Sequence, residues 1–437
     1  MDINKIQIAK SKHMTLGKLI VSSLTIGALL TGCGSGSSTS NEAKHNADYE
    51  TDNGRLAFYD QDSQAIQVLD IESNMILDSF TLSGEAPRLY ASPGNRYGVI
   101  IQRNDNMVSF LDSGLYQEDH GDHLHDYAKD PSILNFTLNS SRPTHFTSHE
   151  DHSAIFFDGQ EGVVSSVALL TDASIESGNT LNELTLSNNM HGVAKLIDDQ
   201  FFVTYRDPLI TETTLPAAID RYSYIDNTLT FAHRYTEACD RLHGSAATDA
   251  FITFGCGDGV LAIDLSQSHR PATKLSNPSS LLEGSRIGSL YAHHNSNEFV
   301  GVAGNQFYVI DVNNAVNPYQ EITLPDDVDN VLKGFNHDGD IFYILGNDGK
   351  LYLYDVRSNW NALQPVQVTN ALEESSISPA VTLSSANGSL YILNTNGQEV
   401  IEVNSETGSI IRTINLDFTA TSLVWLGVTG HDEHDDH

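Results

Sequence analysis

The chain has 437 residues, 57 acidic and 23 basic, and a formal net charge of -34. That charge excludes nucleic acid as a natural partner, because phosphate binding needs a basic surface, and it disfavours broad contact with anionic lipid. It favours the attraction of cations to the protein.

The first 33 residues have the pattern of an export signal. Four lysines precede an apolar run from Leu19 to Leu30, which is shorter than the roughly 20 residues needed to span a membrane. The run ends in Leu30-Thr31-Gly32-Cys33, which resembles the bacterial lipobox, whose cysteine becomes the lipidated first residue. We therefore predict a lipoprotein-type signal over 1–33 and attachment to a membrane only through Cys33. An ordinary signal peptide with an incidental cysteine is the alternative.

Composition divides the remainder into a linker, a domain and a tail. Residues 34–50 begin with GSGSSTSN and are polar throughout, which predicts a flexible linker. Residues 51–430 carry the repeats described below and form the predicted domain. The chain ends in HDEHDDH, so residues 431–437 form a tail in which His431, His434 and His437 alternate with carboxylates. Such a tail captures metal weakly or is simply a solvated acidic segment.

Eight hairpin patterns recur at intervals of roughly 40 to 57 residues, which is the length of a propeller blade. Each has two runs of alternating apolar residues around a short turn rich in Gly, Asn and Asp. They occupy residues 56–71, 98–112, 154–169, 251–265, 299–312, 341–356 and 389–403, with a divergent copy that begins at 201–205. No helical periodicity of useful length follows the signal.

These repeats predict an all-β fold, a β-propeller with eight blades preferred and seven possible. A short strand before each hairpin would be the innermost strand of its blade. Residues 419–428 have no hairpin after them, so they would supply that strand to the first hairpin and close the ring, which protects the sheet edges. Two separate β-sandwiches are the rival arrangement.

Two cysteines flank the hairpin of the fifth repeat. A hairpin centred near Ala247 would place Cys239 and Cys256 opposite each other, at the separation that a disulfide needs. An exported protein enters an oxidising compartment, so we predict a Cys239–Cys256 disulfide. The alternative is a thiolate metal ligand near His243.

Three histidines hold one position of the repeat in consecutive blades. His145, His191 and His243 precede their hairpins by nine, ten and eight residues. Equivalent positions in a radial fold face the same axis, so three imidazoles would converge, and zinc is the metal that such a set favours. Hydrogen-bonded histidines in a channel are the alternative.

The segment 118–127, EDHGDHLHDY, precedes the third hairpin and is rich in metal ligands. We predict that it leaves the ring on the same face as His145, where His120, Asp122, His123 and His125 would complete or feed the metal site. Imidazole and carboxylate suit Zn, Cu and Ni, and availability favours zinc. His149 and His152 are predicted to be surface residues on the opposite face.

Two common sequence motifs of catalysis are absent from the chain. It contains neither a G-x-S-x-G nucleophile elbow nor a G-x-x-x-x-G-K-[ST] phosphate loop. The prediction is therefore a binding protein and not an enzyme.

The segments DHGDHLHDY, RPTHFTSHEDHSAIFFDG, NNMHGVA and ACDRLHGSAATDAFITFGCGDGVLAID resemble the AztD family of exported zinc metallochaperones. The resemblance covers about 150 residues and, more weakly, most of the remaining domain. It implies a β-propeller that binds Zn(II) and passes it to the periplasmic solute-binding protein of a zinc ABC importer. It also implies a metal-handling loop at His120 to His125 and a disulfide at Cys239 and Cys256. The lipobox and the His-rich tail depart from the family pattern, so buffering of zinc at a membrane stays open.

The alternative function is a lipid-anchored propeller scaffold for envelope protein assembly. A scaffold has no use for a ring of histidines, so stoichiometric metal binding would separate the two. In either case we expect an exported, periplasmic protein that binds no nucleic acid.

Overall fold

Alternating and continuous apolar runs pair into eight antiparallel sheets in the computed structural model, which describes residues 54–85, 88–119, 121, 124–372 and 377–429. Each of these eight sheets is one blade, and a further two-stranded sheet is an insertion in the second blade. The strands of a blade follow in chain order, except that the last strand of the chain begins the first blade. The predicted hairpins form the second and third strands of each blade, and these are the most deeply buried strands.

The first four blades contain the following strands. Blade 1 has β1 (Arg55–Asp60), β2 (Ala65–Asp70) and β3 (Met75–Thr81), with the last strand of the chain, β35 (Ala420–Leu426), beside β1; blade 2 has β4 (Arg88–Ala91), β5 (Tyr97–Gln102), β6 (Met107–Asp112) and β9 (Ser132–Asn139); blade 3 has β10 (Pro143–His149), β11 (His152–Phe157), β12 (Ser166–Leu170) and β13 (Asn182–Thr185); blade 4 has β14 (Ala194–Ile197), β15 (Gln200–Tyr205), β16 (Ala218–Ile225) and β17 (Thr228–Arg234).

The second four blades repeat the pattern. Blade 5 has β18 (His243–Ala247), β19 (Phe251–Cys256), β20 (Gly259–Asp264) and β21 (Ala272–Ser276); blade 6 has β22 (Ser289–Tyr291), β23 (Phe299–Ala303), β24 (Gln306–Ile310) and β25 (Tyr319–Ile322); blade 7 has β26 (Asn330–Phe335), β27 (Ile341–Gly346) and β28 (Lys350–Asp355), with β29 (Asn361–Ala362) and β30 (Val366–Gln367) both paired to β28; blade 8 has β31 (Ala380–Leu383), β32 (Ser389–Leu393), β33 (Glu399–Asn404) and β34 (Ile410–Asn415).

The blades close into a ring around their first strands. The first strands of neighbouring blades contact each other, for example β10 with β14, β18 with β22, and β31 with β35. β35 pairs with β1, and Trp425 lies opposite Leu56 with both side chains fully buried. The eight-bladed propeller closed by the C-terminal strand is therefore confirmed, and the two-sandwich rival is wrong.

The alternation of strand direction gives the ring two distinct faces. We call the face where the first strands begin the start face, and the face where they end the end face. Links between blades and the turns between second and third strands lie at the start face. Turns that join first to second strands, or third to fourth strands, lie at the end face.

Two insertions occur at the end face, between third and fourth strands. In blade 2 the insertion is a separate hairpin of β7 (Leu115–Asp119) and β8 (Leu124–Ala128), and in blade 3 it contains α1 (Asp172–Ser177). At the base of these insertions Arg96 forms ion pairs with Asp112 (3.1 Å) and Glu176 (3.2 Å). The helix has six residues, too few to show a helical period in the sequence.

The hairpin of β7 and β8 carries the predicted metal-handling segment. Because it is inserted within blade 2, and not between blades 2 and 3, it leaves the ring at the end face. His145 lies near the start of β10, at the start face. The prediction that this segment shares the face of His145 is therefore wrong.

The predicted disulfide is present, although the reasoning that placed it was wrong in one respect. The sulfur atoms of Cys239 and Cys256 are bonded, with their Cα atoms 4.8 Å apart. Cys239 lies before β18 and in no strand, because the hairpin pairs Ala247 with Ile252 and so centres further along the chain. The segment before β18 instead runs beside the end of β19, where the Gly257 N–H donates to the Asp240 carbonyl (2.7 Å).

Several predicted segments lie outside the described residues. They are the signal over 1–33 with Cys33, the linker over 34–50, the tail over 431–437, and His120, Asp122 and His123. Within the described residues, no helix has the length and apolar character that crossing a membrane requires.

Replacing Trp425 by alanine should destabilise the closed ring. A fully buried aromatic side chain replaced by alanine costs about 3–5 kcal/mol, and here the loss falls on the strand that joins the two ends of the chain. Urea unfolding measures the change. The matched control is Phe231→Ala, since that ring is 53% exposed and its removal should change stability by about 0.5 kcal/mol or less. Equal losses in both variants would contradict the role given to β35.

Replacing both Cys239 and Cys256 by serine should lower the free energy of unfolding by about 3 kcal/mol, because the crosslink restricts the unfolded chain over a separation of 17 residues. Reductant should destabilise the wild type to the same extent and leave the variant unaffected. Two reactive thiols in unfolded, non-reduced protein would refute the crosslink.

Candidate metal centre

Three imidazoles converge at the start face of blades 3, 4 and 5. The Nε2 atoms of His145 and His191 are 3.2 Å apart, and those of His191 and His243 are 3.4 Å apart. One ligating nitrogen from each ring lies within 4.8 Å of the others, and all three side chains are half-buried. Among the described residues this is the one group of three or more histidine, cysteine or acidic side chains with such spacing.

Irregular pairing at the start of two inner strands positions His145 and His243. The register shifts at Thr144 in β10 and at Gly244 in β18, just where each histidine lies. A bulge of this kind turns one side chain away from the regular alternation of a strand, and bulges are common beside functional sites. The sequence RLHG therefore contributes both the ligand and the bend.

His191 is held differently, because it lies three residues before β14 and outside any strand. Its backbone N–H donates to the Thr214 carbonyl (2.9 Å), and the preceding Met190 N–H donates to the Asp158 carbonyl (3.0 Å). Gly192 follows, where a Cβ atom would lie 2.5 Å from the Phe156 ring. The glycine in NMHGV thus lets the segment pack closely against blade 3, which brings the His191 ring to the other two.

The outer nitrogens of two rings fix the state of the inner ones. His243 Nδ1 lies 2.7 Å from the Gly288 carbonyl, and His191 Nδ1 lies 2.9 Å from Asp158 Oδ2. Both partners are acceptors, so both Nδ1 atoms carry the proton, and in the neutral ring each Nε2 atom is then an unprotonated lone pair. Two such lone pairs facing each other at 3.4 Å repel unless a cation lies between them.

The spacing of these nitrogens suits tetrahedral zinc. Zn–N bonds of about 2.0–2.1 Å at tetrahedral angles place two ligand nitrogens about 3.3–3.4 Å apart. The Nε2 separations of His145–His191 and His191–His243, 3.2 and 3.4 Å, fit that requirement, and the third pair of nitrogens, within 4.8 Å, would close around the ion. Three imidazoles also leave a fourth position open for water or another ligand.

The surroundings keep two of the rings neutral, which is the form that binds metal. Burial, with repulsion from His191, His243 and Arg88, lowers the pKa of His145 to about 4 against the opposing effect of Asp158. Burial is also the main cause that lowers the pKa of His243, and the Gly288 hydrogen bond opposes it.

Asp158 connects the three-histidine cluster to the Arg103 guanidinium, and it was not identified from the sequence. Its Oδ2 atom accepts from His191 and from Arg103 (3.1 Å), while its Oδ1 atom is buried with no hydrogen-bond partner among the described residues. Arg103 is fixed by Thr144 through a hydrogen bond of 2.9 Å. A carboxylate behind a ligating histidine orients the ring and raises its basicity. The sequence signal that could have identified Asp158 is its place directly after the second strand of blade 3, which puts it at the same face as His145.

The remaining predicted ligands lie apart from this cluster. His125 is exposed on β8, and its ring contacts Tyr127 at 6.3 Å between centroids. His149 and His152 end β10 and begin β11 at the end face, as predicted, but both are half-buried and neither is a freely exposed surface residue.

Replacing Asp158 by asparagine should weaken zinc binding about 10- to 100-fold and leave the stoichiometry unchanged, because the carboxylate orients His191 without touching the metal. Competition with a chromophoric chelator measures the affinity. Asp220→Asn is the matched control, since Asp220 is equally buried and pairs with Arg234 in the same blade as His191, outside the cluster. Equal zinc affinities in Asp158→Asn and Asp220→Asn would show that Asp158 does not support zinc binding.

The comparisons with known proteins agree with this architecture. No family model matches the chain. A zinc chaperone, AztD from Citrobacter koseri, is 24% identical over 405 residues, which is 90% of this chain and 91% of that protein. Two crystal structures of C. koseri AztD, one of them apo, match with TM-scores of 0.71 and 0.70 at 22% identity, covering 86% of this chain and 98% of theirs.

A more distant fold relative is an enzyme. The dihydro-heme d1 dehydrogenase NirN matches with a TM-score of 0.58 at 10% identity, over 88% of this chain and 77% of that one. A shared propeller does not decide function, so function has to be argued from the site. The matches over nearly the whole domain confirm the resemblance to the AztD family and the propeller fold.

Proposed function

We propose that this chain, which resembles zinc chaperone AztD along nine-tenths of its length, is a zinc-binding metallochaperone of the bacterial cell envelope. It holds Zn(II) at His145, His191 and His243 and passes the ion to the periplasmic solute-binding protein of a zinc ABC importer. It is a carrier and not an enzyme, and zinc is its cargo.

One observation carries the proposal. Hydrogen bonds from Nδ1 to Gly288 and Asp158 leave the Nε2 lone pairs of His243 and His191 directed at each other. The arrangement is electrostatically unfavourable when empty and favourable around a divalent cation. A structural role for these histidines would instead use the Nε2 atoms as well in hydrogen bonds to backbone or water.

A carrier must also release its ion, and the ring alone releases it slowly. The hairpin of β7 and β8 contains His120, Asp122, His123 and His125, and it extends from the end face of blade 2. Its position separates it from the ring site, so it adds no ligand there, and its role is in delivery: its imidazoles accept the ion after it has left the three histidines and pass it on to the acceptor protein. It therefore adds little to equilibrium affinity and much to the rate of delivery.

The cell-envelope location rests on the N-terminal sequence. The lipobox at Leu30 to Cys33 supports export followed by acylation of Cys33, which would anchor the protein at a membrane surface through lipid alone. Metabolic labelling with a fatty acid tests this. Cys33→Ala should abolish the label and release the protein to the soluble periplasmic fraction, whereas an unlabelled wild type would indicate an ordinary signal peptide.

Replacing His145, His191 and His243 together by alanine should eliminate the tight zinc site, because each supplies one of the three nitrogens. Metal analysis after dialysis against zinc gives the stoichiometry, which should fall by one ion per chain. The control replaces His233 and His269, which are both exposed, and should keep the bound zinc. An unchanged stoichiometry in the triple variant would refute the site, and a wild type that binds no zinc would favour the scaffold function.

Replacing His120, His123 and His125 by alanine should slow transfer of zinc to a periplasmic zinc-binding protein while the ring site stays loaded. Stopped-flow mixing with a fluorescent acceptor protein measures the rate. The control replaces the exposed His233 and His269, which belong neither to the hairpin nor to the three-histidine cluster. Equal rates in the wild type and the hairpin variant would mean that the hairpin is not used in delivery.

A further inference from the structure

A cavity lies at the end face, at the opposite end of the same inner strands. Its volume is about 380 Å³, and its walls come from the ends of β10, β18 and β22 together with the first half of β14. His145 and His243 lie at the starts of β10 and β18, so the cavity and the three-histidine cluster occupy opposite ends of the channel.

Lys195 is the cation of this cavity. It is half-buried between Ala194 and Leu196 on β14, and its Nζ atom donates to the Ser148 carbonyl (2.9 Å). No carboxylate of the described residues lies within ion-pair distance of it. An ammonium has three N–H donors, so the single described bond leaves two for a ligand. Burial lowers the pKa of Lys195 to about 8, which leaves the amine mainly charged at neutral pH.

Further donors surround this ammonium. Ser245 Oγ is buried and has no hydrogen-bond partner among the described residues. A buried hydroxyl without a partner is costly, and an acceptor atom in the cavity would satisfy it. His149, His293 and His294 add imidazoles to the wall. The Nδ1 atom of His293 accepts from the Asn295 N–H (3.2 Å), and its ring is hydrogen-bonded to the His337 backbone. His149 and His294 are therefore the rings that can donate an N–H to a ligand.

Four acidic side chains lie near the cavity, but they influence its histidines and do not pair with Lys195. Glu150 lines the cavity, and together with Asp249 and Asp198 it exerts its charge on His149. Asp338 acts on His293 in the same way. None of the four forms an ion pair with Lys195, so a ligand that reaches the ammonium meets a positive charge without a direct counter-ion, in a cavity that Glu150 also lines.

We propose that this end-face cavity is a binding site for a small anion with carboxylate or phosphate oxygens, which Lys195 and Ser245 recognise. A cation is disfavoured because the ammonium would repel it. The imidazoles here also lack the close spacing of the three-histidine cluster, which alone among the described residues brings three ligating atoms within 4.8 Å. The volume of about 380 Å³ is large enough to admit phosphate or an ion as large as citrate.

The site is independent of zinc binding and does not rest on the proposed function. The negative net charge of the protein repels an anion, and only the local donors of the cavity attract it. The affinity for the anion should therefore depend on ionic strength. Citrate chelates zinc, so the binding experiment uses the metal-free full chain.

Isothermal titration of metal-free protein with citrate, and separately with inorganic phosphate, tests the proposal. The wild type should bind at least one of them at one saturable site, and the stronger of the two identifies the oxygen chemistry. Lys195→Met removes the charge at nearly constant length and should weaken binding about ten-fold or more. Ser245→Ala should weaken it less. The matched control is Lys350→Met, a lysine already paired with Asp348 at 2.9 Å, which should bind as the wild type does.

Zinc stoichiometry measured on the same variants shows that they are folded, because Lys195→Met should retain the zinc of the ring site. Absence of saturable binding of both anions to the wild type overturns the proposal, as does equal affinity in Lys195→Met. Cobalt(II) absorption by protein that lacks His145, His191 and His243, lost when His149, His293 and His294 are also replaced, would show a metal site in place of an anion site.

Discussion

The pairing of the last strand with the first hairpin is the contact on which the arrangement of the ring depends. β35 supplies the innermost strand to blade 1 and buries Trp425 against Leu56, which joins residues more than 350 positions apart. Closure fixes all eight first strands around one axis. Only then do equivalent positions in blades 3, 4 and 5 face one another, so the three-histidine cluster depends on closure as well as on local sequence.

Closure alone would bring side chains near one another without selecting their chemistry. That selection comes from the outer nitrogens, because the Gly288 carbonyl and the Asp158 carboxylate hold the protons on Nδ1. The Nε2 lone pairs thereby stay available for the ion that we propose binds in the channel. Arg103 shares Asp158 with His191 and limits the negative charge beside the site. In the proposed site, a buried acid, an arginine and a backbone carbonyl thus prepare the rings for a cation without contributing a ligand.

The sequence predicts the fold well because a propeller repeats a simple pattern. Alternating apolar residues around Gly, Asn and Asp turns located all eight hairpins, and the missing partner of 419–428 predicted closure. Local detail was harder to predict. Cys256 was placed opposite Cys239 by symmetry about Ala247, whereas the true hairpin centres later and the disulfide forms from a segment outside the strand. Pairing register depends on bulges and turn lengths that composition does not determine.

The functional site, like the fold, could be predicted from the sequence only in part. His145 and His243 follow from repeat position, but His191 lies before its strand and depends on Gly192 packing against Phe156. The face of the β7–β8 hairpin was predicted wrongly, because spacing alone cannot distinguish an insertion inside a blade from a link between blades. Asp158 and Lys195 carry no motif, and their roles depend on neighbours that are distant in sequence. The side-chain environment at each end of the channel is therefore evident only in the folded protein.

Anomalous diffraction at the zinc edge from crystals of the zinc-loaded protein tests the central claim most directly. The account predicts one strong peak about 2.0–2.1 Å from the Nε2 atoms of His145, His191 and His243, with Nδ1 of His191 still on Asp158. A peak bound elsewhere, or one bound through Nδ1 atoms with those hydrogen bonds broken, would contradict it.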